Sequence, residues 1–239
     1  MPSVGRDNAT RFVDAFHAIE QNLRRRTNAG PDVRFYRLVD LTAPKDALIA
    51  RHQVDLKEWA DLRNAIVHEK TRRLIARPFA GTVREIERVE ELLRRPPFLR
   101  QVLGRQRVRV AEAGDPVGSA LKVMYDHRFS QMPVYSGERL IGLLTTETFA
   151  RFVAALSSEA AGPTLSTPIA EVLPYEEDPR HYEIAPRSAT TMEALALFDA
   201  YEADGKYLDA IIVTRTGRRT ERPTGIVTVF DVPKLQASL

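Results

Sequence analysis

The amino-acid sequence predicts a two-part protein: an all-α helical bundle, then an α+β module made of two β-α-β-β-α repeats. Apolar residues recur at helical spacing through the first 97 residues, which predicts the bundle. Beyond them, short apolar runs typical of strands alternate with helical patterns. The segment Gly142–Thr145 then returns as Gly225–Thr228, at an offset of 83 residues. An internal repeat of this kind indicates two similar units that pack together.

Four helical segments are predicted in the bundle. The first carries Phe12, Phe16, Ile19 and Leu23 on one face. Proline and glycine residues mark the ends of the segments. The predicted segments run from about Asp7 to Arg26, Phe35 to Leu41, Asp46 to Arg73 with a break allowed near His52, and Gly81 to Arg95.

Each repeat is predicted as a strand, a helix, two strands and a second helix. In the first repeat these are Val108–Ala111, Gly118–His127, Met132–Tyr135, Leu140–Leu144 and Thr148–Leu156. In the second repeat they are Tyr182–Ala185, Thr190–Ala203, Leu208–Thr214, Gly225–Thr228 and a helix from Phe230 onward. A single repeat is too small to bury its sheet, so we expect the two to form one α+β domain.

The predicted domain boundaries follow from these patterns. The bundle takes residues 1–97, a basic connector 98–106, the first repeat 107–157, a linker 158–180 and the second repeat 181–239. The linker prediction rests on the Ser, Gly, Pro and Thr residues of Ser157–Pro168.

Composition excludes several classes of protein. With 44% hydrophobic residues the chain can bury a core, and with no cysteine it has no disulfides, iron–sulfur cluster or cysteine nucleophile. The histidines have no metal-ligand spacing, so we predict no metal site. No apolar run approaches the ~18 residues of a membrane span, and no signal-type N-terminus is evident. We therefore expect a soluble, cytoplasmic protein without membrane association.

The charge is unevenly distributed along the chain. Residues 1–107 hold 22 basic and 14 acidic side chains, a net charge of +8, whereas residues 108–239 hold 13 and 18, a net charge of −5. The N-terminal half is therefore where we expect an acidic partner such as RNA.

The repeat resembles the cystathionine-β-synthase (CBS) domain, whose tandem pairs form a Bateman module. The resemblance rests on Ser130–Val134 and Leu140–Thr145 in the first copy, and on Thr190–Leu195 and Gly225–Asp231 in the second. It implies an adenosine-ligand sensor for AMP, ATP, S-adenosylmethionine or a cyclic dinucleotide.

In this family a Thr and an Asp three residues later hold the ribose hydroxyls. The resemblance therefore assigns Thr228 and Asp231 to the ligand in the second copy. The first copy keeps Thr145 but has Thr148 in place of the Asp, so that its site is weakened or empty. Pro133 and Ala185 are also assigned to ligand binding. Two features leave alternatives open, since Asp231 also suits a helix cap and Asp209 would repel a phosphate.

The third helical segment holds a candidate catalytic group, Arg63, Asn64 and His68. At about 100° per residue, Arg63 falls inside the apolar arc of its helix. An unpaired guanidinium there is costly, so we expect it to face an acid, a carbonyl or a protein interface. Asn64 and His68, four residues apart, would share one flank of that helix. Such a trio suits RNA cleavage without a metal. His68 takes the proton of a ribose 2′-hydroxyl or gives one to the leaving 5′-oxygen, Arg63 holds the phosphate, and Asn64 orients the imidazole or the scissile group.

The order Arg63-Asn-Ala-Ile-Val-His68 within a helical bundle resembles the HEPN superfamily (higher eukaryotes and prokaryotes nucleotide-binding). The resemblance covers about residues 8–95 and implies a homodimer that pools two copies of the motif. Many members are metal-independent endoribonucleases and others are binding modules. The alternative is a structural role, in which Arg63 and Asn64 pair within a dimer interface and His68 lines a polar strip between packed elements.

Our leading hypothesis is a dimeric endoribonuclease that leaves 2′,3′-cyclic phosphate ends, needs no catalytic cofactor and is regulated by an adenine nucleotide on the CBS pair. One alternative is a non-enzymatic nucleotide-responsive regulator whose helical part dimerises or binds a partner. Another is an RNA binder without chemistry.

Overall fold

The structure is a computed structural model that describes residues 7–68, 73–74, 76–104, 107–156 and 165–239, with the backbone alone at residues 68, 73 and 74. Its contacts divide the chain into two compact units, Met1–Pro97 together with Leu239, and Phe98–Ser238. No helix in the described ranges is both long and apolar enough to cross a bilayer.

The N-terminal unit is built from five helices and one short strand pair among its described residues. The helices are α1 (Asn8–Thr27), α2 (Phe35–Thr42), α3 (Ala47–Arg51), α4 (Gln53–Ile66) and α5 (Ala80–Arg94), and a 3₁₀ turn covers Ala43–Lys45. The strands are β1 (Val67–His68) and β2 (Arg73–Leu74), which pair antiparallel.

The apolar stripe of α1 forms the centre of this unit. Phe12, Ile19 and Leu23 are fully buried, and α1 packs against α2, α4 and α5. Arg11 on α1 also donates two hydrogen bonds, of 2.8 and 2.6 Å, to the carboxylate of Glu87 on α5. The predicted helical core of this unit is therefore present.

Two predictions for this unit need correction. The long third helix is divided at His52, as allowed, but it ends at Ile66 and not at Arg73. Val67 adopts extended backbone angles (φ −105°, ψ 116°) and pairs with Leu74. Consecutive β-branched residues favour this change from helix to strand. The unit is consequently not purely α-helical.

The C-terminal unit contains the two predicted repeats. The first is β3 (Ala111–Glu112), α7 (Val117–His127), β4 (Gln131–Ser136), β5 (Arg139–Thr145) and α8 (Thr146–Leu156). The second is β6 (Tyr182–Pro186), α10 (Thr191–Ala203), β7 (Ala210–Thr214), β8 (Gly225–Thr228) and α11 (Val232–Gln236), with a 3₁₀ turn at Val229–Asp231 before α11.

Both repeats have the same sheet topology. In each, the first strand pairs parallel with the second and the second pairs antiparallel with the third, giving the orders β3-β4-β5 and β6-β7-β8. The apolar faces of the two sheets meet through a buried cluster that includes Tyr135, Leu140, Tyr182 and Ile212. The two repeats therefore share one core, as expected.

The predicted connector and linker both contain ordered helices. Residues of the connector form α6 (Leu99–Leu103), where Leu99 is fully buried and donates its N–H to the carbonyl of Ala189 at 3.0 Å. The described part of the linker forms α9 (Ile169–Val172) and a 3₁₀ turn at Leu173–Tyr175. Ile169 and Val172 are buried in the core beneath the first sheet. Apolar residues three positions apart thus convert both segments into packed elements.

Candidate functional site

The strongest candidate site lies at the end of β8. The Thr228 backbone N–H and hydroxyl donate to one oxygen of the Asp231 carboxylate, at 2.9 and 3.1 Å. Asp231 reaches back to Thr228 from the third position of the 3₁₀ turn and makes no cap bond to α11. It therefore caps the turn, and its second oxygen accepts no hydrogen bond from the described residues.

A cavity of about 660 Å³ borders Thr228. Thr228, Pro133 and the exposed ring of Phe230 line it, and Phe129 adds a second aromatic side chain. Both repeats thus contribute to one cleft: β8 and its following turn from the second repeat, and the start of β4 from the first.

The cavity is strongly cationic. Arg107, Arg109 and Arg128 line it, and its described lining contains no carboxylate. Arg128 lies just beyond α7 in a left-handed conformation (φ 57°), which ends the helix and directs the chain into β4. Three guanidinium groups beside hydroxyl acceptors and aromatic rings suit a ligand that carries phosphate, sugar and a flat base.

The sequence analysis missed the arginines and the aromatic residues of this cleft. Arg107 and Arg109 precede β3, and Arg128 and Phe129 follow α7, so they are far from Thr228 along the chain. The sequence shows that the arginines are basic, but only the packing of the two repeats brings the arginines and Phe129 to one cavity.

The other residues assigned to the ligand lie elsewhere. Ala185 is buried in β6 and pairs with Val213, which pairs with Gly225. Gly225 begins β8 and Thr228 ends it, so Ala185 lies level with the opposite end of this strand. Ala185 does not line the cavity. Thr145 is buried in the first repeat and its hydroxyl lies 2.8 Å from that of Thr148.

The acidic residue Asp209, expected to repel phosphate, is already paired. Its carboxylate lies 2.8 Å from Nδ1 of His181, and its backbone N–H donates to the carbonyl of His181 at 2.8 Å. Asp209 is not part of the arginine-lined cavity. The predicted repulsion therefore has no basis at that cleft.

In the N-terminal unit, the candidate catalytic residues are only partly described. Arg63 donates to Oδ1 of Asn64 at 3.1 Å, and Asn64 is exposed. Nε of Arg63 is buried and has no partner among the described residues. The acid or carbonyl that we expected to bind this nitrogen is thus not found among the described residues.

The placement of His68 on the helix was wrong. His68 lies in β1, two residues beyond the end of α4, so it does not share a helix flank with Asn64. Its side chain lies outside the described part of the structure. The described residues contain no cluster of three or more metal-ligating side chains.

One family model matches part of the chain, mostly within the C-terminal unit. Residues 89–155, from within α5 to the end of the first repeat, match the CBS domain. No curated protein gives a significant match. The first repeat therefore lies within the segment that matches the CBS family model, and the second repeat has the same topology as the first.

Several solved structures resemble this chain at low identity. The CBS-domain-containing protein ATU1752 from Agrobacterium tumefaciens shares 18% identity and has a TM-score of 0.43, with 58% of this chain and 92% of that chain covered. CBSX2 in complex with AMP shares 12%, with a TM-score of 0.44 and coverage of 59% and 97%. The CBS domain pair of protein MJ0100, in complex with 5′-methylthioadenosine and S-adenosyl-L-methionine, shares 17%, with a TM-score of 0.43 and coverage of 60% and 98%.

Proposed function

We propose that the C-terminal unit is a sensor that binds a phosphorylated adenosine ligand in the cleft at the end of β8. The observation that carries this proposal is the Thr228–Asp231 pair beside a cavity lined by three arginines. The free oxygen of Asp231 accepts a ribose hydroxyl, and the arginines bind the phosphate. Phe129 and Phe230 offer ring faces for the base.

The test is isothermal titration calorimetry of the full chain with AMP, ATP, S-adenosylmethionine and a cyclic dinucleotide. AMP and S-adenosylmethionine come first, because the similar structures named above hold AMP and S-adenosyl-L-methionine. We expect Asp231→Ala to weaken binding about tenfold or more, the loss of one to two charge-assisted hydrogen bonds.

Arginine variants separate the phosphate from the nucleoside. Arg109→Ser is expected to weaken AMP binding and to leave adenosine binding nearly unchanged, since only AMP carries a phosphate. The matched control is Arg139→Ser, an exposed arginine of β5 outside the cavity. Absence of binding by every ligand, or equal affinity in wild type and Asp231→Ala, contradicts the proposal.

We propose RNA cleavage as a second function, carried by the N-terminal unit. The geometry of Arg63 favours it. Nε of Arg63 is buried and has no hydrogen-bond partner among the described residues, and Nη1 donates to the exposed side-chain amide of Asn64. A guanidinium held beside an amide suits the binding of a phosphate group. His68 supplies the proton transfer in this proposal, and a second protomer supplies a second His68.

The cleavage test uses labelled RNA with EDTA present. We expect wild type to release 2′,3′-cyclic phosphate ends, and Arg63→Ala and His68→Ala to lose the activity by about 100-fold or more. Arg84→Ala, at an exposed position of α5, is the control. Intact RNA together with measurable nucleotide binding would favour the non-enzymatic regulator instead. RNA binding that weakens with salt, without turnover, would indicate a binding module.

A further inference from the structure

The two repeats carry the same local hydrogen-bond pattern, with one chemical difference. In the second repeat the Asp231 carboxylate accepts the backbone N–H of Thr228 at 2.9 Å. In the first repeat the Thr148 hydroxyl takes that place, accepting the backbone N–H of Thr145 at 3.3 Å. The first repeat therefore keeps the turn but lacks its own carboxylate.

A carboxylate from another segment binds the Thr148 hydroxyl. Glu176, which follows the 3₁₀ turn Leu173–Tyr175, accepts a hydrogen bond from the hydroxyl of Thr148. Thr148 is fully buried and the side chain of Glu176 is only 11% exposed. The other oxygen of Glu176 accepts the backbone N–H of Glu177 at 3.1 Å. Both oxygens are thus engaged within the chain.

His181 and Asp209 continue the same cluster. Nε2 of His181 lies 3.9 Å from Glu176, and its Nδ1 lies 2.8 Å from Asp209. The His181 side chain is 7% exposed. The result is a continuous polar chain of Thr148, Glu176, His181 and Asp209, which we call the Glu176 cluster.

This cluster occupies the position that corresponds to the open cleft. The strand registers pair Gln131 with Thr145 and Ala210 with Thr228, so Asp209 is the counterpart of Ser130. Ser130 lines the open cavity, together with residues that precede β3. Asp209 and His181, which precedes β6, hold the equivalent places on the other side.

We propose that the Glu176 cluster closes the ligand position of the first repeat, so that each chain binds one nucleotide, in the cleft beside Asp231. This inference rests on the proposed function of that cleft. A ribose entering the first position would have to displace a buried carboxylate from a hydroxyl and a backbone N–H. It would also separate that carboxylate from His181, and a buried charge without partners is costly.

The first experiment is the stoichiometry of AMP binding to the full chain by calorimetry. We expect one AMP per chain, bound about tenfold or more weakly in Asp231→Ala and with unchanged stoichiometry in Thr148→Val. The double variant Thr148→Asp/Glu176→Ala places an Asp at the position equivalent to Asp231 and removes the Glu176 carboxylate. In this variant we expect a second AMP per chain. Two AMP per chain in wild type would overturn the inference and retain the proposed function.

The second experiment does not depend on any nucleotide. The imidazole signal of His181, assigned with His181→Gln, is followed by NMR in wild type and in Glu176→Gln. We expect Glu176→Gln to shift it and the exposed control Glu138→Gln to leave it unchanged. An unmoved His181 signal overturns the inference, even if no AMP binds and the proposed function fails. The single variant Glu176→Gln also serves if the double variant does not fold.

Discussion

At the scale of single residues, the environment of each polar group decides its chemistry. Asp231 and Thr148 hold equivalent positions, yet Asp231 accepts hydrogen bonds from Thr228 beside a cavity, whereas Thr148 is buried against Glu176. Arg63 shows the same principle, since its Nε is buried while the Asn64 amide it contacts is exposed.

Tyr201 gives a prediction at this scale. Burial, together with the hydrogen bond from its hydroxyl to Glu183 at 2.8 Å, raises the pKa of Tyr201 to about 12 from an ordinary value of 10.0. Because the folded pKa is the higher one, this contribution to stability is present below pH 10 and is lost as the pH rises towards 12. Absorbance titration at alkaline pH should show a late-titrating tyrosine that Tyr201→Phe removes. A late step that persists in Tyr201→Phe would assign it to another residue.

At the scale of elements, close contacts decide which helices accept a larger side chain. Gly118 lies in α7, where an added Cβ would come within 2.8 Å of Cβ of Leu165 and 2.9 Å of its carbonyl oxygen. Gly81 lies in α5, where an added Cβ would meet nothing within 4 Å. The two positions form a matched pair, because both are helical glycines.

We expect Gly118→Ala to lower the free energy of unfolding by about 1–3 kcal/mol, because the contact is with backbone that cannot move aside cheaply. Gly81→Ala should raise it by up to about 1 kcal/mol through helix propensity alone. Urea unfolding followed by circular dichroism measures both. A stabilised Gly118→Ala would show that residues near Leu165 yield to the new side chain.

At the scale of the whole molecule, the chain combines two compact units with opposite charge along the sequence. Trp59, the one tryptophan of the sequence, is buried in the N-terminal unit, whereas the proposed nucleotide cleft is in the C-terminal unit. Trp59 fluorescence therefore reports on the N-terminal unit, whereas circular dichroism reports on the helices and strands of both units.

We expect AMP at about 100 times its Kd to stabilise the C-terminal unit by about 2.7 kcal/mol. Thermal unfolding followed by circular dichroism should shift upward, while the Trp59 fluorescence transition shifts less. Asp231→Ala, which raises the Kd about tenfold or more, should show a smaller shift at the same AMP concentration. Equal shifts by both probes would show instead that the two units unfold together.

The sequence by itself determined the helical pattern of the N-terminal unit, the internal repeat and the Thr228–Asp231 pair. These features depend on the spacing of residues that are close along the chain, because a helix face, a strand or a turn of four residues involves only a short segment. It also located Arg63 beside Asn64. It failed at Val67, where strand pairing with Leu74 replaced the helix.

Only the tertiary structure decided which residues meet at the sites. Arg109 and Phe129 line one cavity with Thr228 because the two sheets pack face to face. Glu176 contacts Thr148 because the segment after α9 returns to the first repeat. Such contacts join residues that are distant along the chain, and no local pattern encodes them. The physical reason is burial: each sheet must cover its apolar face, and covering it brings residues from distant parts of the chain to the same cleft.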